Sequence, residues 1–274
     1  MDAVQLATFQ AVVATGSFEA AARQLHVTPS AVSQRIKALE RSVGQVLVRR
    51  AKPCVATAAG EALVRFAGQV ALLEREALDQ ARDGTRVSIV VNADSLHTWF
   101  LPALAQVPGP RYELHTDDQD YTADLLRSGT AMAAVTAQHV AVQGCRLEKL
   151  GVMRYLPVGP AESRNDLPNA PMIVYNRKDR LQHRFLAGRV KDPPVHYVPA
   201  ASAFVDAIRL GMGWGMVPEQ IARPDIEAGL YTQLEDAHLD VPLYWQYWKI
   251  ESTVLNDLTG AVKHAFSRWR AGPC

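Results

Sequence analysis

The sequence contains little cysteine and no long apolar run. Three cysteines occur among 274 residues, at positions 54, 145 and 274. An odd, widely spaced set without ligand-spaced histidines argues against a disulfide framework or a zinc site, and is typical of the reducing cytoplasm. No apolar stretch approaches the length of a membrane span, and the N-terminus lacks a basic-then-apolar signal pattern. We therefore expect a cytoplasmic protein without membrane contact, metal or cofactor.

Sequence signatures of common enzyme active sites are also missing. The motif GMGWG at 211–215 resembles a dinucleotide-binding loop, but it follows a helix pattern and precedes a strand pattern, the reverse of the required order. No G-x-S-x-G or H-E-x-x-H sequence occurs, and the eight histidines are scattered. We predict no catalytic residues.

The formal net charge of +1 is small, but the charges are unevenly distributed. Residues 1–60 carry seven Lys and Arg against three Asp and Glu, a net charge of +4, which leaves −3 for the remainder. A basic N-terminal segment on an acidic body favours a nucleic-acid partner for that segment alone. The length of the chain favours more than one domain.

Residues 17–44 read SFEAAARQLHVTPSAVSQRIKALERSVG and contain two short helix patterns with a polar break between them. Thr28 is a good cap for the second helix, and Pro29 fits its first position because no N–H is needed there. Gly44 ends that helix. A preceding helix is predicted over residues 2–15, so three helices pack together at the N-terminus.

The second of these helices has two distinct faces. One is an apolar stripe, and the other carries small hydroxyls, an amide and cations, which suit base edges and phosphates in a major groove. For such a helix alone, a solvated surface is the commoner interpretation, but the alanine-rich partner helix and the Thr-Pro start favour DNA binding. The candidate DNA-contacting residues on this helix are Thr28, Pro29, Ser30, Ser33, Gln34, Arg35 and Lys37.

Residues 45–57 predict a two-stranded wing after that helix. Arg49, Arg50 and Lys52 cluster at its tip, where they could track phosphates across an adjacent minor groove. Cys54 in the wing is more simply interpreted as a small buried residue than as a redox sensor.

A long helix is predicted from Thr57 to about residue 82. Its apolar residues alternate at three- and four-residue steps, as in a heptad repeat. This seam either packs on its own domain or forms a dimeric coiled coil, and we favour the dimer because few other elements neighbour the helix in sequence. The seam residues are Leu63, Phe66, Val70, Leu73 and Ala77.

After residue 84 the pattern changes to strands alternating with helices, which is typical of an α/β domain with parallel strands. The order of elements predicts two lobes joined by two crossing strands. Trp245 and Trp248 are expected to be core residues at a crossing. Strands are predicted at 87–92, 112–118, 131–137, 145–151, 153–158, 172–176, 195–200, 214–218 and 241–250, with a closing helix at 254–270.

The run SFEAAARQLHVTPSAVSQRIKALE, continued by GQVLVRRAKPCVATAAGE, resembles the winged helix-turn-helix and linker helix of the LysR-type transcriptional regulators. The resemblance implies an α+β chain with a winged helix-turn-helix, a long linker helix and a periplasmic-binding-protein-like α/β effector domain of two lobes. It also implies double-stranded promoter DNA, a homodimer through the linker helix, a tetramer, and RNA polymerase as partners. The implied boundaries are 1–57, 58–84 and 85–274, with lobe I at 85–156 and 247–274 and lobe II at 157–246.

A second resemblance is narrower. Four stretches resemble the ArgP/LysG subgroup, regulators of basic amino-acid export that respond to lysine or arginine. They are NADSLHTWFLPAL at 92–104, AVT at 134–136, LGVMRYLPV at 150–158 and LYW at 243–245. This implies that the pair Asp117–Asp118 holds a cationic side chain, although a solvated loop explains the pair equally well.

Ligands in such folds bind beyond the carboxyl ends of strands, near helix starts. The alternative is a small-molecule carrier or an enzyme on the same scaffold, in which the N-terminal helices serve only for dimerisation. The basic charge of the N-terminal region (the head, residues 1–57) and the cations at the wing tip favour the regulator. The candidate effector-binding residues are Asp94, Ser95, Thr98, Trp99, Asp117, Asp118, Thr136, Ser202 and Phe204.

Overall fold

A computed structural model of the chain describes residues 1–79, 86–116, 122–190 and 192–271. Within these ranges, no helix is long and apolar enough to cross a membrane.

The N-terminal region is a three-helix unit with a short wing. Asp2 and Thr28 cap the first and third helices through their side chains, and Gly16 and Gly44 end them in the left-handed conformation with φ of 64° and 75°. The predicted helix-turn-helix and its caps are confirmed. The elements are α1 (Ala3–Thr15), α2 (Phe18–Gln24), α3 (Pro29–Val43) and the antiparallel strands β1 (Val48–Arg49) and β2 (Val55–Ala56).

A small apolar core holds these helices and the wing together. Phe9, Ile36 and Leu39 are fully buried between α1 and α3, and each such side chain contributes about 1.5–3 kcal/mol on burial. Cys54 is buried in the same cluster, which confirms its interpretation as a packing residue.

The wing is fixed to α3 by hydrogen bonds. Glu40 Oε1 accepts from the backbone N–H groups of Leu47 at 2.9 Å and Val48 at 3.3 Å. The backbone of Gly60 approaches the wing so closely that a Cβ there would lie 2.2 Å from the Leu47 carbonyl oxygen. The wing therefore has a defined position beside α3.

Helix α4 (Ala58–Asp79) leaves the wing, and one of its faces is buried against the chain's own C-terminal region. Val64 and Arg65 are 7% and 8% exposed, and Leu72 is fully buried in the large core of the C-terminal region. A Cβ at Gly68 would lie 2.7 Å from the Trp248 ring, and the Arg65 guanidinium donates to the Arg127 carbonyl at 2.7 Å.

The opposite face of α4 carries the predicted seam. Phe66 and Leu73 are 42% and 40% exposed, and Val70 is half-buried. Leu63 packs partly against the N-terminal core, and the side chain of Ala77 falls outside the described residues. One face of α4 thus packs on the chain's own domain, and the opposite face carries the apolar seam.

The C-terminal region consists of two α/β lobes joined by two long strands. Its helices are α5 (Ala93–Ser95), a π-helical turn (Leu96–Phe100), α6 (Leu101–Ala105), α7 (Thr122–Arg127), a 3-10 helix (Ala161–Asp166), α8 (Leu181–Leu186), α9 (Ala201–Arg209), α10 (Glu219–Glu227) and α11 (Thr253–Ala271). Its strands are β3 (Arg86–Val91), β4 (Arg111–Thr116), β5 (Ala133–Thr136), β6 (Cys145–Gly159), β7 (Met172–Val174), β8 (Val195–Tyr197), β9 (Gly215–Pro218), β10 (Thr232–Gln233) and β11 (Leu239–Trp248).

Strand order defines the lobes. In lobe I, β3 lies between β4 and β5 in parallel, and β11 pairs antiparallel with β5 and β6. In lobe II, β9 and β10 pair with the second half of β6. Strand β7 pairs with β8 in parallel, and Met172 of β7 forms an isolated bridge with Trp214, the residue before β9. Strands β6 and β11 therefore provide the two predicted crossings.

Four details differ from the sequence-based expectation, and two of them are short elements that were not predicted, the 3-10 helix and strand β10. The stretches 145–151 and 153–158 form one continuous strand, because Gly151, at φ 156°, keeps the extended chain close to Phe266 instead of ending it. Helix α10 was not predicted, and it contains Pro224, a residue that is rare in helix interiors. Trp245 and Trp248 are buried in the core as expected.

Candidate nucleic-acid interface and ligand cavity

The polar face of α3 is open to solvent. Ser30, Gln34 and Lys37 are exposed, as are Thr28 and Pro29 at the helix start. The apolar stripe on the other side is buried in the N-terminal core, so the amide and hydroxyl groups form the outer surface.

Two members of the predicted face are less accessible. Ser33 and Arg35 are half-buried, and the Arg35 guanidinium donates to Thr8 Oγ1 at 3.4 Å. Because Thr8 lies in α1, this contact turns Arg35 partly towards the neighbouring helix.

The wing tip places its cations beside the start of α3. Arg49, Arg50 and Lys52 are exposed, and a groove lined by Ser30, Ser33, Arg50 and Lys52 runs between the helix and the wing. The Arg50 guanidinium lies 4.8 Å from the centre of the Phe18 ring, which restricts its position. The candidate base-reading groups and the candidate phosphate-binding groups thus share one surface.

A cavity lies between the two lobes, where the end of β3 and helix α5 face α8, α9 and β9. Its volume is about 60 Å³, below the usual range for small-molecule sites. The lining residues are Asn92, Ala93, Asp94, His97, Tyr175, Asp179, Leu181, Gln182, Ala201, Phe204, Val205, Met216, Val217, Pro218 and Ile221.

The polar lining of this cavity is rich in hydrogen-bond acceptors. The Gln182 amide donates to the Ile173 carbonyl at 2.8 Å, which leaves its buried Oε1 without a partner among the described residues. The buried Oδ1 of Asn92 likewise has no partner there. Buried acceptors of this kind favour a ligand that brings N–H donors.

Two carboxylates add negative charge to the cavity wall. Asp94 Oδ2 accepts from the hydroxyl of Tyr155 at 2.7 Å. Both oxygens of Asp179 accept backbone N–H groups, from Leu181 at 2.9 Å and Tyr175 at 3.1 Å. Among the described residues that line the cavity there is no Lys or Arg, so the wall is acidic.

The phenol of Tyr175 responds to this charge. Burial raises its pKa above the ordinary tyrosine value, and the negative charge of Asp94 across the cavity raises it further. Tyr175 therefore faces the cavity as a neutral hydroxyl at physiological pH.

Comparison with known proteins assigns the chain to a family. The model of the bacterial regulatory helix-turn-helix proteins of the lysR family matches residues 4–61, and that of the LysR substrate binding domain matches residues 80–252. The chain belongs to the LysR family of bacterial transcriptional regulators. Its fold class, a winged helix-turn-helix followed by a two-lobed α/β domain, is confirmed.

Relatives within the family have high identity over nearly full length. The lysine export transcriptional regulatory protein LysG of Corynebacterium glutamicum is 41% identical over 97% of this chain and 98% of its own. The crystal structure of ArgP from Mycobacterium tuberculosis is 47% identical, covers 97% of this chain and 98% of that one, and superposes with a TM-score of 0.88. Full-length LysG from C. glutamicum with bound effector arginine is 40% identical, with coverage of 98% and 99% and a TM-score of 0.84.

These relatives confirm the ArgP/LysG resemblance. They also confirm that the chain is a DNA-binding transcriptional regulator, and they exclude the enzyme alternative, because LysR regulators are not enzymes.

The structure brings together only some of the candidate effector-binding residues. Asp94 and Phe204 line the cavity. Thr98 and Ser202 lie in an adjoining depression on the same side of the lobes, with His97 between the two. Asp117 and Asp118 fall outside the described residues.

Three other candidates lie away from the cavity wall. Trp99 is 2% exposed and packs edge-to-face on Phe100 and Phe266, so it belongs to the core of lobe I. Ser95 is fully buried at the last position of α5. Thr136 is buried at the end of β5, where its hydroxyl accepts from the Gln138 N–H. For these positions the periodicity of the sequence did not distinguish core from cleft.

Sequence reasoning found Phe204 in lobe II but missed the contributions of α8, of the loop before it and of the crossing strand. Asp179, Gln182 and Tyr175 come from the loop before α8 and from α8 itself, and Tyr155 comes from β6. The stretch NRKD at 176–179 gave one signal, since Asp near a helix start is typical of a cap.

Proposed function

We propose that α3 and the wing bind the major groove and flanking phosphates of a promoter. Gln34 and Ser33 read base edges, while Arg49, Arg50 and Lys52 contact phosphates. Their exposure on one continuous surface and the net charge of +4 over residues 1–60 support this assignment. The segments 1–57, 58–84 and 85–274 then bind DNA, link and sense, respectively.

The outer face of α4 joins two copies of the chain. Phe66, Val70 and Leu73 remain available there because the inner face is covered by the chain's own lobe I. A dimer presents two heads to two half-sites, and a pair of dimers makes the tetramer. The regulator acts in the cytoplasm, where promoter DNA and RNA polymerase are found.

The effector is a basic amino acid, arginine or lysine, bound in the cavity between the lobes. The observation that carries this proposal is the acidic, acceptor-rich wall formed by Asp94, Asp179, Asn92 and Gln182. The bound effector arginine of C. glutamicum LysG supports it. The name of that protein also suggests that the regulated gene encodes an amino-acid exporter.

The two ends of such a ligand have different surroundings. The cationic group lies against Asp94, while the α-carboxylate lies at the start of α9, where Ala201 lines the cavity and the first N–H groups lack intrahelical partners. Phe204 and Met216 cover the aliphatic part between them. A ligand that contacts both lobes favours their closed arrangement and so changes how the heads meet DNA.

Calorimetry on the full-length chain tests the effector. Arginine and lysine should bind, citrulline, the neutral isostere of arginine, should bind about 10–100-fold more weakly, and glutamate should not bind measurably. Tightest binding of glutamate or of a neutral amino acid would contradict the proposal. A gel shift with DNA upstream of the chain's own gene and its neighbours tests promoter binding, which should depend on sequence.

A further inference from the structure

One contact in the cavity wall joins residues that lie far apart in the sequence. Tyr155 is 1% exposed on β6, and its hydroxyl donates to Asp94 Oδ2 at 2.7 Å. Asp94 belongs to α5 of lobe I, whereas β6 is one of the two strands that cross between the lobes. Tyr155 pairs with Pro218 of β9, which itself lines the cavity, so the contact lies directly behind the wall.

The two cavity carboxylates are held in different ways. Asp179 is oriented by backbone N–H groups of its own loop, at Leu181 and Tyr175, so local structure is enough to fix it. Asp94 is half-buried and receives its Oδ2 hydrogen bond from a side chain 61 residues away. The orientation of Asp94 is therefore set in part by a distant phenol that does not itself line the cavity.

We infer that Tyr155 is a positioning residue that makes the cavity selective for a cationic side chain over a neutral one of the same shape. Charge-assisted hydrogen bonds depend strongly on angle, and a carboxylate already held in one rotamer loses less freedom when the cation binds. A neutral side chain gains less from this orientation because its bonds to a carboxylate are weaker. The inference rests on the proposed basic effector.

The substitution Tyr155→Phe removes the hydroxyl and keeps the ring. By calorimetry on the full-length chain, arginine affinity should fall about five- to tenfold, while citrulline affinity should change by less than about twofold. The measured quantity is thus the ratio of arginine to citrulline affinity, which a general loss of packing would not alter.

Tyr247→Phe is the matched control. The Tyr247 hydroxyl donates to Glu148 Oε1 at 2.7 Å, and the ring is 4% exposed, but neither residue lines the cavity. This variant removes a phenol–carboxylate bond of the same length and should leave the ratio unchanged.

A double-mutant cycle with Asp94→Asn completes the test. In the Asp94→Asn background, Tyr155→Phe should no longer change the ratio, because the carboxylate that it positions is gone. Equal losses for arginine and citrulline, no loss at all, or additive effects in the cycle would overturn the role of Tyr155 while leaving the basic effector in place. A wild-type chain that binds neither arginine nor lysine would overturn the proposed effector, and this inference with it.

Discussion

The DNA-facing surface and the ligand cavity are assembled in opposite ways. The surface comes from residues 28–52, one stretch whose caps, break and wing follow each other along the chain. The cavity draws residues from positions 92 to 221, on both lobes and on elements that are not adjacent in sequence. Because the head forms from one continuous stretch, its structure can be predicted from sequence and does not depend on the lobes. The cavity, in contrast, exists only when both lobes are folded. Substitutions should therefore affect DNA contact and ligand contact independently.

The largest difference between the effect on DNA binding and the effect on ligand binding is expected at the seam of α4. Leu73→Asp places two carboxylates opposite each other in a desolvated seam, so the dimer should dissociate. Operator affinity should fall about 100-fold or more, because the second head no longer binds as part of the same molecule, while calorimetry should show arginine binding unchanged. Sedimentation reports the dimer, and Leu230→Asp, at a leucine 48% exposed elsewhere, is the control. A Leu73→Asp variant that stays dimeric would show that the seam does not join two copies.

Asp94→Asn tests the same separation from the side of the cavity. Loss of the charge-assisted bond should weaken arginine binding by about 1.5–3 kcal/mol and leave effector-free operator binding as in the wild type. Asp257→Asn, an exposed acid on α11, should change neither measurement. Unchanged arginine affinity in calorimetry would remove Asp94 from the site.

Gln34→Ala acts on the head alone. Its cognate operator should be bound more weakly by about 1–3 kcal/mol, with little change on random DNA, because an amide that reads a base edge matters only at the correct base. Gln24→Ala, at the exposed end of α2, is the control for a lost glutamine. Equal losses on both DNAs in a fluorescence anisotropy titration would assign Gln34 to the phosphates.

The packing of α4 on lobe I is tested by substitution of Gly68, and Gly260 in helix α11 is the control. Gly68→Ala puts a Cβ 2.7 Å from the Trp248 ring, so the free energy of unfolding should fall by about 1–2 kcal/mol despite the better helix propensity of alanine. Gly260→Ala, with open space around its Cβ, should raise it by about 0.5–1 kcal/mol. Denaturant unfolding monitored by tryptophan fluorescence measures both, and a stabilised Gly68→Ala variant would argue against close packing of α4 on lobe I.

The smallest effect is expected at the wing. Arg50→Ala should weaken binding to every DNA sequence by a similar factor, and should reduce the slope of log affinity against log salt by about 1. The salt series should be repeated for Gln34→Ala, whose slope should equal that of the wild type. A sequence-dependent loss for Arg50→Ala would place this side chain at a base instead.

The contrast between the two regions also explains which features could be predicted. Thr28, Pro29, Gly16 and Gly44 specify helix ends through their own backbone preferences, so the sequence alone located α1 and α3 to within a residue. The strands of both lobes were found because their β-branched runs are short and bounded by turn residues. The joined strand β6, the proline-containing helix α10, the two-residue strand β10 and the 3-10 helix departed from the prediction.

The cavity could be predicted only in part. Asp94 and Phe204 were found because they follow a strand end and open a helix, respectively, which are local signals. Trp99 is equally well placed in sequence, yet it packs on Phe266 from α11, a contact between residues 167 positions apart that no local pattern encodes. The bond from Tyr155 to Asp94 is of the same kind.

Linkage between the two sites tests the central claim most directly, that a basic amino acid in the cavity controls DNA binding by the head. Operator affinity of the full-length chain is measured with and without saturating arginine, and arginine affinity is measured with and without saturating operator. Thermodynamic reciprocity requires that the two affinity ratios be equal, and the claim predicts that both differ from one by about five- to 150-fold. Ratios of one, with arginine bound in both cases, would contradict it.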